Sequence, residues 1–288
     1  MNLRICCLGD LVTDVVVHLD QDPQRGTDTP ARITSTRGGS AANVAVAVSA
    51  VGGVGRFVGN VGIDPAGDAL LLELASTGVE PCVVRSGSTG TIVVLVDATG
   101  ERSFLTDRGA STQLASMPAG ALDDVDLLHI PAYSFTEGPL AETSEQMLGG
   151  AVERGIPISI STSSVAALRQ YGRESFLELI AAIKPHYLIA NHPEFMFLAK
   201  GAEAIPGARA TVVTNGGGTA VVRRTDRPEI RVPTKTVKPT DTTGAGDAFT
   251  GSFLVSRVRG DDYESALGHG HDLAARTLNS RGAKFERD

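Results

Sequence analysis

The sequence predicts an α/β fold: a mostly parallel sheet with helices on both faces, plus a few early strands outside that alternation. Three observations predict it. From Val125 onward, apolar runs of strand length alternate with helical patterns, as in a parallel sheet covered on both sides. The first apolar run, Leu3 to Leu8, is closed by Gly9-Asp10 and reads as a buried strand. Two early stretches, about 11–36 and 90–107, hold strands with no helix between them, which sets them apart as a small second sheet, a lid or an oligomer contact. Residues 1–288 are read as one domain carrying those strands.

Taken in order, Val12 to Leu19 continues with β-branched residues and embeds Asp14, and Ile33 to Thr36 alternates like a short strand. Gly38-Gly39-Ser40 introduces a run of small residues from Ala41 to Val48, stopped by Gly52-Gly53. Ser40 is the expected cap, and the run reads as a helix packed closely on something flat. Its valines lower the intrinsic propensity, so burial must hold it. A strand over Arg56–Val61 and a helix over Pro65–Ala75, ended by Gly78, follow. Thr91–Val96 and Arg102–Thr106 flank Asp97-Ala98-Thr99-Gly100, a hairpin signal. Strands are expected at Val125–Ile130, Pro157–Ser161, Tyr187–Ala190 and Ala210–Thr214, with helices over 139–154, 173–183 and 192–200 between them. A late hairpin, Thr219–Arg223 with Ile230–Val232, precedes two helices, Ala245–Val258 and Tyr263–Leu278.

Composition excludes several function classes. Lys and Arg total 26 against 33 Asp and Glu, a net charge of −7, which argues against general nucleic-acid binding. No window approaches the ~20 apolar residues of a membrane span. The three cysteines, Cys6, Cys7 and Cys82, form no Cys-x-x-Cys pair, so a disulfide framework or zinc site is not expected and a reducing cytoplasm is. None of the five lysines follows a glycine, which rules out a Walker P-loop. The protein-kinase motifs, the His-Glu-x-x-His zinc helix and the Gly-x-Ser-x-Gly elbow are missing as well.

The densest chemical signal is Asp241-Thr242-Thr243-Gly244-Ala245-Gly246-Asp247-Ala248-Phe249. Gly244 and Gly246 let backbone amides approach a ligand at the mouth of a helix, where unpaired N–H groups and the dipole favour an anion. Asp247 lies just inside that helix start. A carboxylate beside an anion hole suits a base that activates a hydroxyl toward a phosphoryl group. The other reading is a plain capping turn with Asp247 balancing the dipole. A dinucleotide fingerprint does not fit, because Phe249 stands where that motif wants Gly or Ala.

This nine-residue motif resembles the C-terminal signature of the ribokinase-like (PfkB) family of carbohydrate kinases. Gly38-Gly39-Ser40-Ala41-Ala42-Asn43 before an alanine-rich helix resembles its N-terminal signature, and Gly59-x-x-Gly62-x-Asp64-x-x-Gly67 continues it. Gly9 with Asp14, Asn191-x-x-Glu194 and Thr214-x-Gly216 match further family elements in the family's order, from residue 3 to about 283. The resemblance implies a doubly wound, mostly parallel α/β sheet with helices on both faces and a small β-sheet lid, built from the strands of about 11–36 and 90–107, and transfer of the γ-phosphate of ATP to a hydroxyl, with Mg²⁺. By position, it implies Asp247 as the base and the amides of Gly244, Ala245 and Gly246 as the anion hole. Asp14, Gly38, Gly39 and Asn43 would belong to the acceptor site. Asn191 and Glu194 would organise Mg²⁺ and phosphates through water, and Thr214 and Gly216 would line the nucleotide site. Asp241 and Thr243 resemble positions that bind a monovalent cation, K⁺, in some members.

Departures bear on the acceptor. Val12 replaces the ribokinase Asn, Ser40 replaces the Lys, and Pro131-Ala132-Tyr133 lacks the acidic sugar ligand, all against ribose itself. Ser161-Thr162-Ser163-Ser164 replaces the Asp-x-Asn of hexose and ketose kinases. The implied function is phosphorylation of a hydroxyl, expected to be primary, of a small sugar or sugar acid. The alternatives are a nucleoside kinase or a non-catalytic sugar-binding relative. The expected partners are that acceptor and ATP, with no nucleic acid and no membrane, and a homodimer, if one forms, through the lid. Arg108 reads either as a substrate-facing lid residue or as an exposed hairpin arginine, Tyr133 as a substrate-facing or a core ring, and the histidines as structural.

Overall fold

The structure is a computed structural model that describes residues 3–234, 237, 242–279, 283 and 285. The chain opens with β1 (Arg4–Leu8), β2 (Val12–Leu19), β3 (Ala31–Gly38) and α1 (Ser40–Ala50). Next come β4 (Val54–Val61), α2 (Pro65–Ser76), β5 (Glu80–Arg85), β6 (Thr89–Val96) and β7 (Arg102–Gly109). The alternating part holds β8 (Leu127–Pro131), α3 (Gly138–Glu153), β9 (Ile158–Ser161), α4 (Val165–Tyr171) and α5 (Arg173–Ile183). It continues with β10 (Tyr187–Asn191), α6 (His192–Ala199) and β11 (Thr211–Thr214). The chain closes with β12 (Ala220–Arg224), β13 (Arg227–Val232), α7 (Ala245–Arg259) and α8 (Tyr263–Thr277).

The large sheet runs β13-β12-β11-β10-β9-β8-β1-β4-β5, parallel from β11 to β5, with an antiparallel hairpin at the far edge. α1, α2, α7 and α8 pack on one face and α3 to α6 on the other. Strand order reverses between β1 and β8, and at such a switch point the carboxyl ends of the strands leave a crevice. The second sheet, β3-β2-β6-β7, is the lid.

The expected elements are present, and two were not read from sequence. β5 is an edge strand whose Pro81 needs no ladder partner on its open side, so its Glu-Pro start looks like a turn. α4 is seven residues long, too short for a periodic signal, and is capped by Ser164, which accepts from the Ala167 amide at 3.0 Å. The lid register also divides six residues that the sequence leads us to expect on or near one bare face, Val12, Val16, Ile33, Ile92, Val94 and Leu105. Val16, Ile92 and Val94 share the face of Asp14, while Ile33 and Leu105 fall on the opposite, outward face. Val12 is buried at the lid's base.

α1 lies between the sheet and α7, and every residue from Ala41 to Ala50 is buried. Only small side chains fit there. A Cβ on Gly251 of α7 would stand 2.6 Å from the Ala47 Cβ, so the two helices touch nearly backbone to backbone. Gly251→Leu should therefore force them apart and destabilise the protein by about 1–3 kcal/mol, as overpacked cores do. Urea unfolding checks this, and an unchanged midpoint would contradict the tight crossing.

Candidate active site

The close crossing of α1 and α7 brings residues 204 to 207 positions apart into contact. Gly39 is the N-cap of α1, at φ 102°, where a Cβ would strike the Asp10 carbonyl. Ser40, expected as the cap, is instead the first helical residue, and its hydroxyl donates to Asp247 Oδ1 at 2.7 Å. Asn43 Nδ2 donates to Asp247 Oδ2 at 2.9 Å. Asp247 stands in the first turn of α7, behind the N-cap Gly244 in left-handed conformation at φ 78°. Burial pushes its pKa up to about 6, against the opposing pull of the Asn43 and Ser40 hydrogen bonds and the Arg37 charge. A Cβ added at Gly246 would meet no atom within 4 Å, so the space before this helix start is open.

That space belongs to a cavity of about 840 Å³. Of the residues expected at the site, it gathers Asp14, Gly39, Asn43, Asn191, Glu194, Thr214, Thr243, Gly244, Gly246 and Asp247. Gly38, Ala245 and Gly216 are not on its wall. Gly38 ends β3, where a Cβ would run into the Asp14 carboxylate, so it makes room for Asp14. Asp241 lies outside the described residues.

At the lid end, Asp14 has a carboxyl pushed up to about 6, chiefly by burial, and its Oδ1 is buried without a hydrogen-bond partner. Ile92, Val94, Phe104 and Tyr133 line the same end. Arg108 is 8% exposed, not an open hairpin residue. It donates to both oxygens of Asp10 at 2.7 and 2.8 Å and to Glu137 and Thr136 at 2.9 and 3.2 Å. At the opposite end Asn191 and Glu194 form a capping box on α6, and Thr162 donates to the same carboxylate. The Asn-x-x-Glu element thus fixes a helix start and holds a buried carboxylate on the cavity wall.

Sequence reasoning did not single out Asp10, Glu137, Phe104 or Arg37. Arg37 is 4% exposed and donates to Asn43 Oδ1. Its position directly before Gly38-Gly39 was the available signal. Two histidines pack against structural groups: His129 is buried against Ser159, and His271 lies against the Val232 carbonyl. Among the described residues no cluster of His, Cys, Asp and Glu could hold a metal ion unaided.

Residues 2–287 match the family described as pfkB family carbohydrate kinase. The chain belongs to that family. This pfkB kinase is 29% identical over 288 residues to ribokinase of Bacillus subtilis (strain 168), covering 98% of its own chain and 94% of the relative. Its fold matches adenosine kinase from Sinorhizobium meliloti with a TM-score of 0.85 at 22% identity, over 98% and 95% of the two chains. It also matches fructokinase with bound ATP from Xylella fastidiosa, with a TM-score of 0.80 at 24% identity over 98% and 94%. Both structures share its fold. As a pfkB member it is an ATP-dependent carbohydrate kinase.

The raised carboxyl of Asp247 fixes the sign of two pH effects. The base that the sequence leads us to expect at Asp247 must be ionised, so on that expectation kcat/KM should climb with pH through about 6. Stability runs the other way. Folding raises the pKa from 3.8, so this group's contribution is present below 3.8 and is lost as pH rises through about 6. Asp247→Asn should lose ~10²–10⁴-fold in kcat and should melt higher than wild type at pH 8 but not at pH 3.5. Retention of more than a tenth of kcat would remove Asp247 as the base.

Proposed function

We propose that the enzyme moves the γ-phosphoryl group of ATP, with Mg²⁺, to a primary hydroxyl of a small sugar or sugar acid. The observation that carries this reading is Asp247: a buried carboxylate in the first turn of α7, beside open space and in one cavity with Asp14. ATP supplies the phosphoryl group and Mg²⁺ offsets its phosphate charge. The residues fit both, since the amides of Gly244, Ala245 and Gly246 begin a helix and Glu194 and Asn191 present oxygens on the opposite wall. Thr214, ending β11, and Gly216, in the turn after it, would border the nucleotide.

Asp247 accepts the hydroxyl proton at a carboxylate oxygen, while Ser40 and Asn43 orient that carboxylate. Asp14 Oδ1, buried and unpartnered, would receive an acceptor hydroxyl. The lid already reaches the anion-hole loop, because Arg102 at the far end of β7 donates to Thr243 at 2.9 Å. A lid held there excludes water from the transfer. A nucleoside acceptor is the second reading. It is favoured by the apolar surface that Ile92, Val94 and Phe104 turn into the cavity, with Phe104 61% exposed.

We further assign the enzyme to the cytoplasm, in keeping with three free thiols, of which burial pushes Cys6 up to about 12. No helix among the described residues is long and apolar enough to cross a membrane. The outward lid face carries Val15, Val17, Ile33, Val93, Leu95 and Leu105, none of them buried. We assign it to a homodimer contact, since such a face is unusual on a monomer.

A panel of D-ribose, D-fructose, 2-keto-3-deoxygluconate and adenosine, scored for ADP release in K⁺ and in Na⁺ buffers, tests acceptor and cation together. Release above the no-acceptor rate for a sugar or sugar acid is expected. Release for adenosine alone would select the second reading, and equal rates in both buffers would remove the K⁺ proposal. With the preferred acceptor, Asp14→Ala should raise the acceptor KM ten- to a hundredfold, the loss of ~1.5–3 kcal/mol in one charged hydrogen bond. The ATP KM should hold. For the dimer, light scattering should give twice the chain mass for wild type and a monomer for Leu105→Glu. A monomeric wild type would overturn the contact.

A further inference from the structure

Arg37 is a cation in the protein interior, and nothing in the catalytic scheme above uses it. It ends the exposed part of β3 and turns inward, 4% exposed. Burial lowers its pKa, so a fixed set of acceptors must hold the charge there. Three acceptors surround it. One Nη donates to Asn43 Oδ1, the other to the Ala283 carbonyl at 2.9 Å, and Nε lies 3.5 Å from a Glu73 carboxylate oxygen.

Each of the first two contacts leads to the reaction centre. Asn43 has one end that donates and one that accepts, and either could face Asp247. A guanidinium has donors only. Facing Arg37, Asn43 must present Oδ1 to it and therefore Nδ2 to the Asp247 carboxylate, where the distance is 2.9 Å. The reversed amide would set an oxygen against the carboxylate and an NH₂ against the guanidinium. Ala283 stands directly behind the anion-hole turn: a Cβ on Gly244 would come within 2.5 Å of the Ala283 Cβ. Arg37 thus holds the orienting partner of the base with one arm and the backing of the phosphate turn with the other. Its charge also opposes the effect of burial at both Asp14 and Asp247.

We infer that Arg37 is a positioning residue for phosphoryl transfer, acting on Asp247 through Asn43 while the Ala283 carbonyl anchors its other arm. This inference rests on Asp247 being the base. Its mark is a loss in kcat that depends on Asp247 and spares ATP binding.

The experiment is a double-mutant cycle on the full-length enzyme, read as ADP release with ATP·Mg²⁺ and whichever acceptor of the four named above turns over fastest. Arg37→Met should lower kcat about ten- to a hundredfold, the equivalent of one hydrogen bond to a charged group, with the ATP KM within about twofold of wild type. Arg37→Lys keeps a donor toward Asn43 but cannot span to Ala283, and should recover part of that loss. In an Asp247→Asn background the Arg37→Met change should cost less than threefold further, because residues that act as a unit are non-additive. A residue that merely holds the fold would lower kcat equally in both backgrounds, and that result overturns the inference. So does an Arg37→Met enzyme with kcat within threefold of wild type. Should Arg37→Met fail to fold, the same cycle with Arg37→Lys decides: a several-fold fall in kcat that disappears in the Asp247→Asn background supports the inference, and an equal fall in both overturns it. If Asp247→Asn alone keeps wild-type activity, the base assignment itself fails and the inference falls with it.

Discussion

A buried carboxylate at the crossing of two thin helices is the constraint on which the rest depends. Asp247 is useful only if α1 comes close enough for Ser40 and Asn43 to reach it. That closeness requires the run of alanines and valines on α1 and Gly251 on α7. Bulkier residues would have raised helix propensity or apolar burial, yet would have pushed the hydrogen-bond donors out of reach. Packing and the proposed chemistry here share the same few atoms, so the core of this part of the protein is also its candidate active site.

Electrostatics follows from that burial. Two carboxyls, Asp14 and Asp247, are both pushed up to about 6 by loss of water, and Arg37 is the cation that draws both back down. Asp10 and Arg108 form a further buried pair on the cavity wall, joined by Glu137, so the lid end of the cavity is densely charged beneath an apolar lid. Such a site is rigid when its charges are mutually satisfied, and Asp14 Oδ1 is a buried oxygen there without a hydrogen-bond partner.

The lid shows the same economy of alternation. Period-two pairing turns Asp14, Ile92, Val94 and Phe104 inward and leaves Val15, Ile33 and Leu105 outside. One sheet therefore offers a mixed polar and apolar face to the cavity and an apolar face to its surroundings. Its two ends are tied to the core differently: Arg108 at the base by a buried ion pair, and Arg102 at the far end by a hydrogen bond to Thr243.

By itself the sequence determined the parallel alternation, the lid segments and the residues around Asp247, because these rest on local periodicity, glycine placement and a long motif read contiguously. It did not disclose β5, whose proline is tolerated only at a sheet edge, nor α4, which is shorter than one reliable period. It placed Ser40 as a cap, since local chemistry favours a hydroxyl there, while the tertiary fold gave capping to Gly39 and turned that hydroxyl onto a carboxylate 207 residues away. It left Arg108 open between two readings and passed over Arg37, because an arginine in a strand looks solvent-exposed until its partners are known. Asp10 and Ala283 supply partners from distant parts of the chain, and Asn43 one from a turn further along it. Only the tertiary structure decided these roles, since the burial and pairing that define a charged side chain's task are properties of its neighbours in space.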